Sequence, residues 1–215
     1  MLRILIVDDH MIIRRGLRQI LSESPRIGDI AEAEDGPAAL RLLRAQPVDV
    51  VLLDIALGER DGLDLLKTLQ REFPALGVIM LSVYPESQFA LRALRAGARA
   101  YLNKGCSPEV LDAAIVKVAA GGLYITPAVA ELLAQSVRCD SESEKPPHES
   151  LSNREFQVLQ LLILGRSIGQ IAQQLSLSAN TISTYRTRLF DKLDLHNPAD
   201  LFAYAVRHGL MPERP

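Results

Sequence analysis

The run Val48-Asp49-Val50-Val51-Leu52-Leu53, closed by Asp54, constrains this chain more than any other stretch. An apolar run of that brevity, ended by a carboxylate, reads as a buried parallel strand that carries one acid to the edge of its sheet. Ligands of open α/β sheets sit outside the carboxyl ends of the strands, so Asp54 is placed for chemistry rather than for packing. Other strand-like runs end alike: Arg3-Ile4-Leu5-Ile6-Val7 in Asp8-Asp9, Gly77-Val78-Ile79-Met80-Leu81 in Ser82, and Ala100-Tyr101-Leu102-Asn103 in Lys104. Three carboxylates, a hydroxyl and an ammonium at four strand ends are the parts of a site for a hard divalent cation and a phosphoryl group. Taken singly they mean less. An isolated Asp-Asp is more often a helix cap, a lone Ser82 a turn residue and a lone Tyr101 a core aromatic; the constellation reverses those readings.

From Arg3 to about Gly121 short β-rich runs alternate with helical periods, which predicts successive right-handed βα units around a five-stranded, doubly wound parallel sheet. The remaining strand is Ile27 to Ala33, the most frayed of the five. Apolar residues three and four apart define the helices: Ile12, Ile13, Leu17, Ile20 and Leu21; then Ala38, Ala39, Leu42 and Leu43; then Leu65, Leu66 and Leu69. The fourth, near Glu86 to Ala96, carries mostly Phe89, Ala90, Ala93 and Leu94 and is expected to pack loosely and shift. The fifth opens on Ser107-Pro108-Glu109, buries Val110, Leu111, Ala114, Ile115 and Val118, and stops at Gly121-Gly122.

At 215 residues the chain is long enough for two domains, each with its own core. Hydrophobic residues at 48% and charged ones at 23% describe an ordinary globular protein, and no apolar run approaches the ~20 residues of a membrane span. The start lacks a signal-peptide pattern, so a cytoplasmic location without membrane attachment is expected. Two cysteines without metal-ligand spacing read as reduced bystanders, and His10, His148, His196 and His208 are scattered, so no structural zinc is expected.

A short helix is predicted from Pro127 to about Ser136, and then the composition changes. Arg138 to Glu149 is rich in Ser, Glu and Pro without apolar period, a solvated linker. Beyond it lie the pieces of a small four-helix unit. Ser152-Asn153-Arg154-Glu155 fits a capping box ahead of Val158, Leu159, Leu162 and Ile163, and Gly165 ends that helix. A short helix from Ser167 to Leu175 precedes the turn Ser176-Leu177-Ser178 and a third helix running to about Leu193; this is helix, tight turn, helix. A fourth, from Pro198 to about His208, carries Leu201, Phe202, Ala205 and Val206 on one side. Residues 151–215 hold seven Lys and Arg against five Asp and Glu, a small positive excess in a chain of net charge −2.

Asp8-Asp9, Asp54, Ser82 and Lys104 together resemble the receiver domain of bacterial two-component response regulators over about the first 125 residues. The resemblance implies that Asp54 is the phosphoacceptor, that Asp8, Asp9, Asp54 and the backbone carbonyl of Ala56 hold Mg²⁺ (or Mn²⁺), and that Lys104 pairs with the phosphoryl oxygens. It implies further that Ser82 bonds the new phosphate and that Tyr101 swings inward as Ser82 moves. Physics supports the roles: crowded carboxylates repel by several kcal/mol at an effective dielectric near ~20, so a cation is needed to hold them ionised and close. One departure is Gly58, where relatives usually have Pro; it is expected to leave that loop more mobile.

Leu151-Ser152-x-Arg154-Glu155-x-x-Val158-Leu159, Ile171-Ala172-x-x-Leu175, Leu177-Ser178-x-x-Thr181-Ile182, Tyr185 and Lys192-Leu193 resemble the helix-turn-helix DNA-binding domain of LuxR-type regulators. The whole chain thus resembles a NarL/FixJ-type response regulator, with a receiver at 1–125, a linker helix and flexible linker at 126–150 and a DNA-binding domain at 151–215. The implied partners are a sensor histidine kinase, double-stranded promoter DNA and a second copy of the chain once phosphorylated. Asn180, Ser183, Thr184 and Thr187 are expected to face the groove, with Thr181, Tyr185, Arg186, Arg188 and Lys192 flanking them or meeting phosphate; a set poor in Arg and Lys there favours readout of shape. Two other classes compete. A phosphohydrolase with an Asp nucleophile usually keeps a second acid two residues on, where this chain has Ala56, so no enzyme activity is expected. A constitutive DNA binder with a vestigial receiver would have no reason to keep the acids and Lys104.

Overall fold

The computed structural model of the chain describes residues 1–57, 61–139, 146–175 and 177–211. Two compact units account for it, Met1–Asp140 and Ser141–Pro215.

In the first unit five strands, β1 (Leu2–Val7), β2 (Ile27–Ala33), β3 (Val50–Asp54), β4 (Gly77–Ser82) and β5 (Ala100–Asn103), form one parallel sheet in the order β2-β1-β3-β4-β5. Helices α1 (Met11–Ser22), α2 (Gly36–Ala45), α3 (Gly62–Glu72), α4 (Glu86–Arg95) and α5 (Pro108–Ala119) make the crossovers. The chain leaves β1 to one side for β2 and returns to the other side for β3, so the switch point lies between β1 and β3. There Val7 pairs with Leu53, which sets Asp8 beside Asp54 one residue on. One sheet face packs Ile4, Ile6, Val50, Leu52, Ile79, Leu81, Ala100 and Leu102 against Leu21 of α1 and Leu111, Ala114, Ile115 and Val118 of α5.

Two helical faces differ from expectation. In α1 only Leu21 is buried, while Ile12 is 80% and Ile20 37% exposed: its apolar stripe is wider than the sheet surface it covers. In α4 the small face expected to pack loosely is closed, with Phe89, Ala90 and Ala93 fully buried, because α6 (Pro127–Cys139) lies against it. The Thr126 hydroxyl donates to Glu86 Oε2 at 2.7 Å and stands within 3.3 Å of the Val129 N–H, joining the start of α4 to the first turn of α6. Ser107 caps α5 without a side-chain bond to its backbone, and its hydroxyl serves the Glu109 carboxylate instead. Of the expected linker, α6 belongs with the first unit, 140–145 lie outside the described residues, and a 3-10 turn at Pro147–Ser150 packs in the second.

The second unit holds α7 (Asn153–Ile163), α8 (Ile168–Gln174), α9 (Ala179–Leu193) and α10 (Pro198–Arg207). Capping boxes open α7 at Ser152, α8 at Ser167 and α10 at Asn197, and the Ser178 hydroxyl accepts the Thr181 N–H at the start of α9. Gly165, at φ 73°, takes the left-handed turn that ends α7. Phe156, Val158, Leu159, Ile171, Ile182, Leu189, Leu193, Leu201, Tyr204 and Ala205 form its core. The expected face of α10 divides: Leu201 and Ala205 are buried, whereas Phe202 is 40% and Val206 67% exposed. Among the described residues no helix is long and apolar enough to cross a membrane.

Candidate functional site

At the switch point Asp54 closes β3 and is 3% exposed, Asp8 follows β1 and is 1% exposed, and Lys104 follows β5. The Lys104 ammonium donates to Asp8 Oδ2 at 2.6 Å and stands 2.9 Å from Asp54 Oδ2. Burial pushes the Asp54 carboxyl above the ordinary carboxylate range; Lys104 pulls it back, Asp8 pushes it further up, and the Ala56 N–H stabilises its anion. Burial alone would depress Lys104, but Asp54 and Asp8 reverse this and hold its ammonium above the usual value. Together they carry more negative charge than one lysine neutralises.

Oxygens of Asp8, Asp9 and Asp54 and a nitrogen of His10 can all be chosen within 4.8 Å of one another. Three carboxylates around one point match the donor set of a hard divalent cation. The residues fit Mg²⁺ or Mn²⁺. His10, which its sequence position left among scattered histidines, is the addition: Nδ1 lies 2.7 Å from Asp9 Oδ1 and 3.2 Å from Asp8 Oδ1.

Two further residues support the acids. A Cβ built on Gly62 would stand 2.0 Å from the Asp54 carbonyl oxygen, so only glycine lets α3 begin that close to the strand end. Arg14 of α1 donates to the Asp8 backbone carbonyl at 2.6 Å. No local pattern marks either residue, since both act through contacts made by folding. Gly58 lies outside the described residues.

Ser82 is fully buried, and its Oγ accepts the Tyr84 N–H at 3.0 Å. Tyr101, expected to move inward, is already inside: it is 2% exposed and donates its hydroxyl to the Tyr84 carbonyl at 3.0 Å. Burial raises its phenol pKa, and the hydroxyl of Ser82 offsets part of that. The Tyr84 ring in turn leans on Phe89, centroids 5.2 Å apart.

In the second unit α9 turns Ile182, Leu189 and Leu193 inward and exposes Asn180, Ser183, Thr184, Thr187 and Arg188, with Thr181, Tyr185 and Arg186 partly covered. The hydroxyls of Ser183, Thr184 and Thr187 donate to the carbonyls of Ala179, Asn180 and Ser183, four residues back. Their protons are occupied, so this face offers oxygen lone pairs and two threonine methyls. The Arg186 guanidinium lies 5.0 Å over the Phe190 ring. Lys192 departs from the rest: its ammonium is 2.7 Å from Glu155 of α7, already paired within its own unit. Burial would raise the Glu155 carboxyl, but Lys192 and Ser152 overcome it and hold the group below its usual value.

The model of the response regulator receiver domain matches residues 4–116, and that of the bacterial regulatory proteins of the luxR family matches residues 149–205. The chain is 36% identical over 210 residues to the response regulator UvrY of Escherichia coli K12, covering 98% of this chain and 96% of UvrY. It is 34% identical over 211 residues to the response regulator GacA of Pseudomonas aeruginosa, covering 98% of each. This chain belongs to the NarL/FixJ family of response regulators. Among solved structures the regulator resembles RcsB of Salmonella enterica serovar Typhimurium, bound to promoter rprA with the phosphomimetic BeF₃⁻, at 25% identity and TM-score 0.61, covering 96% of this chain and 99% of that one. It also resembles ChrA, the response regulator of a heme-sensing two-component system, at 32% identity and TM-score 0.53, covering 98% of each. A two-component response regulator with a LuxR-type DNA-binding domain acts in transcription regulation.

Proposed function

We propose that this regulator accepts a phosphoryl group on Asp54 from a sensor histidine kinase and, as a homodimer, binds promoter DNA through α9. The observation that carries the first half is the Asp54 carboxylate itself, buried at the switch point, raised in pKa and flanked by Lys104 and Asp8. A carboxylate of raised basicity is a better nucleophile once it is held ionised. One Asp54 oxygen attacks the phosphorus, the bond from phosphorus to the phosphohistidine nitrogen breaks, and that nitrogen keeps the electron pair. Asp8, Asp9, Asp54 and the Ala56 carbonyl would hold Mg²⁺ or Mn²⁺, whose charge offsets that gathering on the phosphoryl oxygens. Lys104, freed from Asp54 as that group becomes an acyl phosphate, pairs with a phosphoryl oxygen. Ser82 exchanges its bond from the Tyr84 N–H for one to the phosphate. Because Tyr101 is already held inside by the Tyr84 carbonyl, the moving part is the Ser82–Tyr84 segment rather than the ring.

For the second half, exposed Asn180, Ser183, Thr184 and Thr187 face the bases, Thr181 and Tyr185 flank them, and Arg186 and Arg188 meet phosphates. Lys192 contributes the least, being paired with Glu155. Phe202 and Val206, uncovered on α10, form part of the contact between copies. Radiolabelled acetyl phosphate with Mg²⁺ tests the transfer: wild type should label, and the chain without divalent cation should not. Titrations at several salt concentrations test the interface. Thr187→Ala should cost roughly 1 to 3 kcal/mol on the preferred site and little on random DNA, whereas Arg188→Ala should weaken both alike and lower the salt slope by about one unit. Equal loss on both DNAs for Thr187→Ala would remove that residue from base readout.

A further inference from the structure

We infer that His10 is a nitrogen ligand of the receiver's cation site and gives that site a preference for borderline first-row metals over Mg²⁺. This rests on the reading of Asp8, Asp9 and Asp54 as a cation site and adds a donor of a different kind. His10 stands at the N-cap of α1, a position where side chains usually accept a hydrogen bond from the helix's first N–H groups. Its ring makes no such bond. It turns instead to the carboxylates, with Nδ1 2.7 Å from Asp9 Oδ1 and 3.2 Å from Asp8 Oδ1. A nitrogen of His10 and oxygens of Asp8, Asp9 and Asp54 all lie within 4.8 Å of one another, so one ion among the carboxylates brings the ring within reach as a further ligand. The backbone keeps the ring there, because the His10 N–H donates to Asp8 Oδ1 at 2.8 Å.

Donor chemistry then sets the preference. Carboxylate and carbonyl oxygens suit Mg²⁺ and Mn²⁺, whereas imidazole nitrogen suits Fe²⁺, Co²⁺, Ni²⁺ and Zn²⁺. With three carboxylates and no imidazole a site favours the hard ions; the His10 nitrogen shifts the balance toward the borderline ones. The His10 side chain is 59% exposed, so replacing it removes the donor without opening the core.

The test uses the full chain freed of any affinity tag. Co²⁺ and Mg²⁺ affinities are measured by calorimetry, counting only the Co²⁺ that excess Mg²⁺ displaces, which excludes binding at His148, His196 and His208. In His10→Ala and His10→Asn, Co²⁺ affinity should fall tenfold or more while Mg²⁺ affinity stays within about twofold. Cu²⁺ bound at the same site should show nitrogen hyperfine splitting in wild type and lose it in both variants. Equal changes for the two metals, or unchanged nitrogen splitting, would overturn the role of His10. Absence of displaceable metal from the wild type would instead overturn the cation site itself.

Discussion

Each unit of this regulator buries a carboxylate beside a lysine, and the two pairs have opposite electrostatics. Asp54, 2.9 Å from Lys104, is held above the ordinary carboxylate range, first by its burial and then because a second acid, Asp8, shares the same ammonium. Glu155, 2.7 Å from Lys192, is held below it, because it has that ammonium to itself and accepts the N–H of Ser152 as well. The second pair is complete and ties α7 to α9. The first is short of positive charge, and that deficit is what a divalent cation at this position would offset. Distance alone does not separate the two pairs; the depth of burial and the number of acids that share each lysine do.

The sharpest break is Asp54→Asn. Labelling by acetyl phosphate should disappear, and the variant should be more stable than wild type in the absence of divalent cation. A carboxyl whose folded pKa lies above its unfolded value near 3.8 leaves the fold unburdened at low pH and costs stability as pH rises through the folded value. The asparagine removes that cost at neutral pH. Each kcal/mol relieved should raise the melting midpoint of the first unit by roughly 2–4 °C, and Mg²⁺ should stabilise the variant less than it does the wild type. A midpoint below that of metal-free wild type would contradict the charge deficit.

Gly62→Ala comes next. Its Cβ must displace the Asp54 carbonyl or the start of α3, so labelling should slow on the order of tenfold to a hundredfold even though no reacting group changes. Wild-type rates would show that the strand end yields freely. Glu155→Gln sets the other side of the comparison: it should cost the second unit about 1–3 kcal/mol, seen in chemical denaturation, without altering labelling. The contribution is present above the unfolded value near 4.5 and is lost as pH falls through the depressed folded value, so wild type and variant should converge in acid. The smallest effect is expected from Lys192→Met, about 1 kcal/mol or less, since its side chain is 42% exposed and water replaces part of the pairing.

The sequence made the strand ends legible, because an apolar run that stops at a charged residue marks both a strand and the place where it delivers a side chain. Asp8, Asp54, Ser82 and Lys104 are found that way, and the cap Ser152 by its spacing from Glu155, whereas Ser167, which reads as the first residue of its helix, is the cap before it. Faces were harder to read. Ile12 and Ile20 fit the period of α1, yet periodicity does not say how wide a surface the sheet offers. Gly62, Arg14 and His10 carry no signal because each acts through a contact that only the folded chain makes. The partner of Lys192 is 37 residues away, so no pattern along α9 showed that its ammonium was already paired.

The bond between Thr126 and Glu86 has a mechanical consequence. Ser82 is linked through Tyr84 to Phe89 and hence to α4, and Glu86 at the head of α4 holds the first turn of α6. From Pro127 to Cys139 that helix is about 20 Å long. Used as a lever with its fulcrum at Thr126, it turns a tilt of about 5° into a travel of ~1.7 Å at the far end. Because α6 packs along α4, such a tilt would have to be shared by both helices, and it would end at the point where the chain passes out of the first unit.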